Sequence, residues 1–149
     1  MKATIMIPAY NTESFLEETL ESAISQTYPN DYEVLIVNDG SSDNTRKISE
    51  VYQRKHSNIR LLNQENQGIG ITRNRLLDES KGEILLGLDA DDKLHPKALE
   101  KVVNCFNNYP EVSFVYTNQN EINEKNEFLR TRKRDELNSF FPDLIYHCH

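Results

Sequence analysis

The sequence predicts an α/β domain built on a mainly parallel sheet. Three observations carry that expectation. Five short apolar runs rich in Ile, Val and Leu recur along the 149 residues. Segments with helical period separate the first four runs and follow the fourth. The runs also lack strict apolar–polar alternation, which suits strands buried on both faces.

Taken in order, the first run is Ala3–Pro8, and Phe15, Leu16, Leu20, Ala23 and Ile24 then share a helical face. Asn11 or Thr12 can cap that helix, with acidic residues in its early turns. The second run is Glu33–Asn38. Ser42 or Asp43 can cap the next helix, where Ile48, Val51 and Tyr52 form a weaker stripe. The third run, Ile59–Asn63, precedes a segment holding Ile69, Leu76 and Leu77. The fourth, Glu83–Leu88, precedes the clearest stripe: Ala98, Leu99, Val102, Val103 and Phe106, with Pro96 near its start. Val112–Thr117 is the fifth run. The predicted order is βαβαβαβαβ, and right-handed crossovers put helices on both faces of the sheet.

Composition narrows the function classes. The chain carries 17 basic and 24 acidic residues, a net charge of −7. Neither residues 1–118, with 12 basic and 18 acidic, nor the remainder, with 5 and 6, is cationic. A nucleic-acid binder that relies on neutralising phosphates is therefore excluded. No apolar run approaches the ~20 residues of a membrane helix, and Thr4–Ile7 is too short for a signal peptide. Cys105 and Cys148 make no disulfide framework, so a reducing, cytoplasmic setting is expected.

Beyond Asn118 the pattern fades. Gln119–Asn126 reads as a polar loop and Arg130–Arg134 as a basic run, either a solvated face or a contact for acidic lipid. Ser139–Tyr146 is apolar, and His147-Cys148-His149 lacks the second ligand cluster of a metal site. The expectation is the front part of a longer protein, with one α/β core over residues 1–118 and the start of a second, truncated region over 119–149.

In an open parallel sheet, ligands bind outside the carboxyl ends of the strands. Four predicted strands run there into chemically apt residues: Pro8–Asn11, Asn38–Asp43, Asn66–Asn74 and Asp89–Asp92. Asp89, Asp91 and Asp92 repel one another unless a cation or hydrogen bonds compensate them. Such a group suits Mg2+ or Mn2+ with phosphate oxygens completing the shell, or a solvated turn that caps a helix. Asp39 can accept from a base or a ribose, or merely shape a turn. Gln67-Gly68-Ile69-Gly70 is no dinucleotide fingerprint, because Arg73 stands where a third glycine is needed. Arg73 can pair with a carboxylate or reach a diphosphate. Tyr10 can stack on a base or plug the edge of the core.

Four motifs then resemble those of family 2 glycosyltransferases in order and spacing. They are Pro8-Ala9-Tyr10-Asn11 with Leu16, Val37–Asp43 with Thr45, Asn66 and Gly68 with Arg73-Asn74, and Leu88–Asp92. The resemblance covers residues 3–117, and one departure is Thr72, where the family often has Ala. It implies a Rossmann-like GT-A fold, a three-layer α/β/α arrangement with the C-terminal acceptor half incomplete. Residues 1–118 would then be the nucleotide-sugar-binding core, and 119–149 the start of the acceptor side. It further implies an inverting transferase that binds a nucleotide-diphosphate sugar, usually a UDP-sugar, with Mn2+ or Mg2+. Pro8, Tyr10 and Glu13 would line the nucleotide pocket and Asp39 would meet the base. Arg73 would lie near Asp39 and the phosphates. Asp89 would approach the ribose or help place the sugar, with Ala90 beside it in the pocket. Asp91 of this DXD motif would ligate the metal, and Asp92 would border the sugar or acceptor. The general base is expected beyond His149.

The acceptor implied is a saccharide or a lipid-linked glycan, in surface polysaccharide biosynthesis, with peripheral association at the inner membrane face. Two other functions compete. A metal-dependent nucleotidyltransferase would carry a Gly-rich, basic loop where Ala9-Tyr10-Asn11 stands. A non-catalytic nucleotide-sugar-binding fragment fits the chain taken alone.

Overall fold

A computed structural model describes residues 2–29, 31–123 and 127–132. The chain divides into two compact units, Met1–Glu111 and Val112–His149. The first contains β1 (Ala3–Ala9), α1 (Leu16–Ile24), β2 (Tyr32–Asp39), α2 (Thr45–Lys55), β3 (Ile59–Gln64), α3 (Ile69–Glu79), β4 (Ile84–Gly87) and α4 (Ala98–Asn108). Its four strands lie in the order β3-β2-β1-β4, and every pair is parallel. The first four predicted strands and all four helices are therefore present.

Period two along the strands explains the layers. Ala3, Ile5, Ile7 and Ala9 of β1, with Val34 and Ile36 of β2, face one cluster that includes Leu16, Leu20 and Ala23 of α1 and Leu99, Val102 and Val103 of α4. The alternate residues Leu35 and Val37 face the other way and meet Leu76 of α3. Helices thus cover both faces, which is why β1 and β2 read as continuous apolar runs.

The chain builds outward from β1 through β2 to β3, then returns to place β4 on the other side of β1. That reversal is the topological switch point, where open α/β sheets bind ligands. Pairing of β1 with β4 runs only to Met6↔Gly87, whereas β1 stays paired with β2 as far as Ala9↔Asn38. The chain leaving β4 is therefore released from the ladder beside the end of β1.

Several expectations are corrected. Val112–Thr117 forms no strand. Phe114 and Tyr116 in it are exposed, so its β propensity lacks the packing that makes a strand. Gln119–Ile122 is instead a strand, β5, paired antiparallel with β6 (Phe128–Arg132). Phe15 is exposed and precedes α1, and Ile69 and Leu77 of α3 also face solvent. No side chain caps α1; the Thr12 carbonyl accepts from the Phe15 and Leu16 N–H groups. In the hairpin, Glu121 accepts from Arg130 Nε at 2.5 Å and also pairs with Arg132. Lys133, Arg134, Ser139–Tyr146 and His147–His149, all singled out in the sequence, lie outside the described residues.

Candidate functional site

The β1–α1 and β2–α2 loops grip each other through reciprocal hydrogen bonds. Asn11 sits at φ 50°, a left-handed conformation that Asn tolerates better than most residues. Its Oδ1 accepts from Ser42 N at 2.9 Å, and its own N–H donates to Ser41 Oγ at 3.0 Å. Thr12 N donates to Thr45 Oγ1 at 2.8 Å and Glu13 N to Asp43 Oδ2 at 3.0 Å. In return Glu13 Oε2 accepts from both nitrogens of Asn44 at 2.8 Å. Asp43 Oδ1 also accepts from Thr45 N at 2.9 Å, satisfying a first-turn donor of α2. Glu13 therefore stands at the start of α2. The lock leaves Tyr10 51% exposed at the rim, so it does not plug the core.

Asp39 ends β2 and is buried. Its Oδ1 accepts from Gln64 Nε2 at 2.7 Å and Gln67 N at 2.9 Å, and its Oδ2 from Gly68 N at 2.9 Å. Burial pushes this carboxyl up, but the donors of Gln64, Gln67 and Gly68, with a smaller contribution from the nearby Thr72 hydroxyl, together outweigh it, so its pKa lies below the ordinary value. Asp39 is thus an ionised clamp on the loop that leads into α3. Gly40 beside it has φ +70°, and a Cβ there would stand 2.7 Å from Asn66 N. Only glycine lets the two loops approach so closely.

The acidic turn follows β4. Asp92 N donates to Asp89 O at 3.0 Å, closing it. Arg73, just over one turn into α3, donates from Nη2 to Asp89 Oδ1 at 3.0 Å, with both side chains more than half exposed. Arg73 therefore pairs with Asp89, while the carboxylate of Asp39 is held by amides and backbone. Partial burial pushes the Asp92 carboxyl up, although the residue as a whole is exposed, and the charges of Asp91 and Asp89 add to the rise. Among the described residues no three His, Cys, Asp or Glu side chains form a metal cluster. Asp91 and Asp92 nevertheless offer exposed hard oxygens, and Mg2+-like ions commonly take one or two carboxylates and fill the shell with water and phosphate. The donor set fits such an ion.

Residues 88–97 have no regular ladder, so their backbone groups need other partners. A polar stripe from α1 supplies them. Thr19 Oγ1 donates to Ala90 O at 2.9 Å, and Ser22 Oγ accepts from Leu94 N at 3.1 Å. Gln26, just past α1, donates to His95 O at 3.2 Å and accepts from Leu99 N at 3.0 Å. Sequence reasoning missed Thr19, Ser22 and Gln26. The signal was present: polar residues spaced three and four apart on the face that also carries Leu16, Leu20 and Ala23 must find partners when buried.

Pro8, Tyr10, Asp39, Ala90 and the Arg73–Asp89 pair therefore lie at or beside the carboxyl ends of β1, β2 and β4. That architecture is the one in which open α/β sheets bind ligands at the switch point. Comparison with known proteins names the family. A family model described as "Glycosyl transferase family 2" matches residues 4–147. Chondroitin synthase of Escherichia coli is 35% identical over 82% of this chain and 18% of its own length. The poly(ribitol-phosphate) beta-glucosyltransferase of Bacillus spizizenii is 36% identical over 70% and 17%. S. aureus TarS 1-349, solved in complex with UDP-GlcNAc, superposes with TM-score 0.68 at 32% identity, over 74% of this chain and 32% of that one. A Pyrobaculum calidifontis mannosyltransferase, PcManGT, solved with GDP-Man and Mn2+, gives TM-score 0.65 at 28% identity, over 70% and 32%.

The chain belongs to glycosyltransferase family 2, and its first unit has the GT-A fold. It spans a third or less of the length of these relatives. No helix among the described residues is long and apolar enough to cross a membrane.

Proposed function

We propose that this chain is the donor-binding part of an inverting glycosyltransferase that uses a nucleotide-diphosphate sugar. UDP is the nucleotide, Mn2+ or Mg2+ accompanies it, and the acceptor is a hydroxyl of a growing polysaccharide or a lipid-linked glycan. The observation that carries the reading is the Arg73–Asp89 pair, which joins a guanidinium from α3 to the acidic turn after β4. As the glycosidic bond breaks, negative charge grows on the β-phosphate. A protein with net charge −7 cannot hold a diphosphate by its overall field, so local cations must. Arg73 supplies one, exchanging a carboxylate oxygen for a phosphate oxygen with the same planar fork. A divalent ion, when bound, supplies Lewis-acid neutralisation of the same oxygens.

The remaining roles follow from position. Asp91 holds the metal, and Asp92 borders the sugar or acceptor. Pro8 and Tyr10 flank the base, with Glu13 behind them fixing the loop. Asp39 accepts a base N–H through the capacity left on Oδ2. Asp89 reaches the ribose or helps place the sugar, and the buried Ala90 carries the turn. Deprotonation of the acceptor is assigned to no residue of this chain.

The UDP-GlcNAc complex of TarS and the Mn2+ complex of PcManGT support the donor and metal assignments. Calorimetry with UDP and Mn2+ tests them. Asp91→Ala is expected to abolish metal-dependent binding while leaving the circular dichroism spectrum unchanged; unaltered affinity refutes the assignment. The chain alone is expected to bind UDP-sugar yet transfer it poorly, and robust transfer to added acceptor would show that it contains its own base.

A further inference from the structure

The clamp on Asp39 has an outer layer that none of the rim motifs contains. Gln64 closes β3 and donates from Nε2 to Asp39 Oδ1 at 2.7 Å and to Thr72 Oγ1 at 3.1 Å. Its Oε1 accepts from Arg75 Nη1 at 3.0 Å, and the same nitrogen donates to Asn63 O at 3.1 Å. A guanidinium has donors only, so Arg75 decides which end of the amide faces it. The carbonyl oxygen must turn to Arg75 and the NH2 to Asp39. A flipped amide would set oxygen against the carboxylate and NH2 against the guanidinium. Thr72 enforces the same sense, because its hydroxyl donates to Gly68 O at 2.9 Å and so accepts from Gln64.

The consequence falls on the two carboxylate oxygens. Oδ1 accepts from both Gln64 and Gln67, whereas Oδ2 accepts from Gly68 alone. An ionised carboxylate offers about four acceptor positions, so the open capacity lies on Oδ2. We infer that Gln64, itself oriented by Arg75, is a positioning residue that sets nucleobase preference by keeping the open acceptor position of Asp39 on Oδ2. This rests on the proposed role of Asp39 as the base acceptor. A fixed, ionised carboxylate attracts a ring N–H, which uracil presents at N3. Cytosine presents a lone pair at that position, and the carboxylate repels it. Without Gln64 only the Gln67 and Gly68 N–H groups hold the carboxylate. Oδ1 then gains an open acceptor position too, and the contrast between the two bases weakens.

Calorimetric titration of the whole chain with UDP and with CDP, each with Mn2+, tests this in the wild type, Gln64→Leu, Arg75→Met and Arg75→Lys. Wild-type protein is expected to prefer UDP by about tenfold or more, the worth of one hydrogen bond to a charged group. Gln64→Leu and Arg75→Met are expected to bring the two affinities within about threefold of each other. They do so by weakening UDP, with CDP not weakened. Arg75→Lys keeps a donor for Gln64 and retains most of the preference. A merely structural role would lower both affinities together, and that result overturns the inference, as does an unchanged preference in Gln64→Leu. If Gln64→Leu fails to fold, Arg75→Met carries the same comparison. Wild-type protein that binds UDP and CDP equally well also overturns it, together with the base role of Asp39, while a metal-dependent nucleotide-diphosphate site remains. Binding of neither nucleotide refutes the donor-site reading, and this assignment with it.

Discussion

Thr19→Val removes one hydroxyl and keeps the side-chain shape. In the wild type that hydroxyl donates to Ala90 O at 2.9 Å, across 71 residues of sequence, with Thr19 1% and Ala90 4% exposed. The substitution leaves a buried carbonyl without this donor, which costs about 1–3 kcal/mol. A domain of this size loses about 4 °C in Tm per kcal/mol, so the expected fall is roughly 4–12 °C. The same bond holds the backbone between Asp89 and Asp91, so UDP affinity in the presence of Mn2+ should fall with it. Differential scanning calorimetry measures the first effect and isothermal titration the second. Thr19→Ser keeps the hydroxyl and should restore most of the nucleotide affinity while losing only the methyl contribution, about 0.8 kcal/mol. If Thr19→Val melts within a degree of the wild type and binds UDP equally well, α1 does not hold the acidic turn in the way the bond implies.

Three further outcomes are expected. Leu20→Ala empties a fully buried position between α1 and the sheet and should cost about 2–5 kcal/mol in chemical denaturation. Gly40→Ala must displace the Asn66 backbone as well as adopt a left-handed φ, so it should lower both Tm and nucleotide affinity. Acid should destabilise the fold through Glu33, Asp39 and Asp43, whose pKa values all lie below the ordinary range. For Glu33, burial raises the value, but the Lys81 N–H, the Thr4 hydroxyl and Arg60 together lower it further. A depressed carboxyl contributes stability above its unfolded pKa, near about pH 4, and that contribution is lost as pH falls through the folded value. Urea midpoints measured from pH 7 down to pH 3 should therefore decline. Glu33→Gln should start lower and decline less.

The sheet was legible because β1 and β2 are covered on both faces, which writes itself as unbroken Ile, Val and Leu. Leu20 and Val102 likewise announced the buried faces of α1 and α4. The hairpin was not legible. Gln119, Asn120 and Glu121 have poor strand propensity, and the cross-strand bonds of Glu121 to Arg130 and Arg132 help hold the pair. Conversely, Val112–Thr117 has the composition of a strand without its burial. At the rim, the positions of Tyr10, Asp39 and the aspartates followed from strand ends, whereas Arg73, expected near Asp39, pairs with Asp89 instead. The partners did not follow, because Thr19, Gln64 and Arg75 act through directed bonds to residues distant in sequence. Helical period marks Thr19 as a buried polar group that needs a partner, but neither propensity nor period says which partner it takes.

The mutual grip of the two loops beside Tyr10 has a consequence for how a guest molecule is received. Each loop supplies donors and acceptors to the other, so neither can shift without breaking its neighbour's bonds as well. If the proposed donor site is there, this side of it is a preset mould, and a ligand docking against it forfeits little freedom on the host side. Adjustment to differently shaped guests must come from the opposite flank, where Arg73 and Asp89 stand in water and can trade partners.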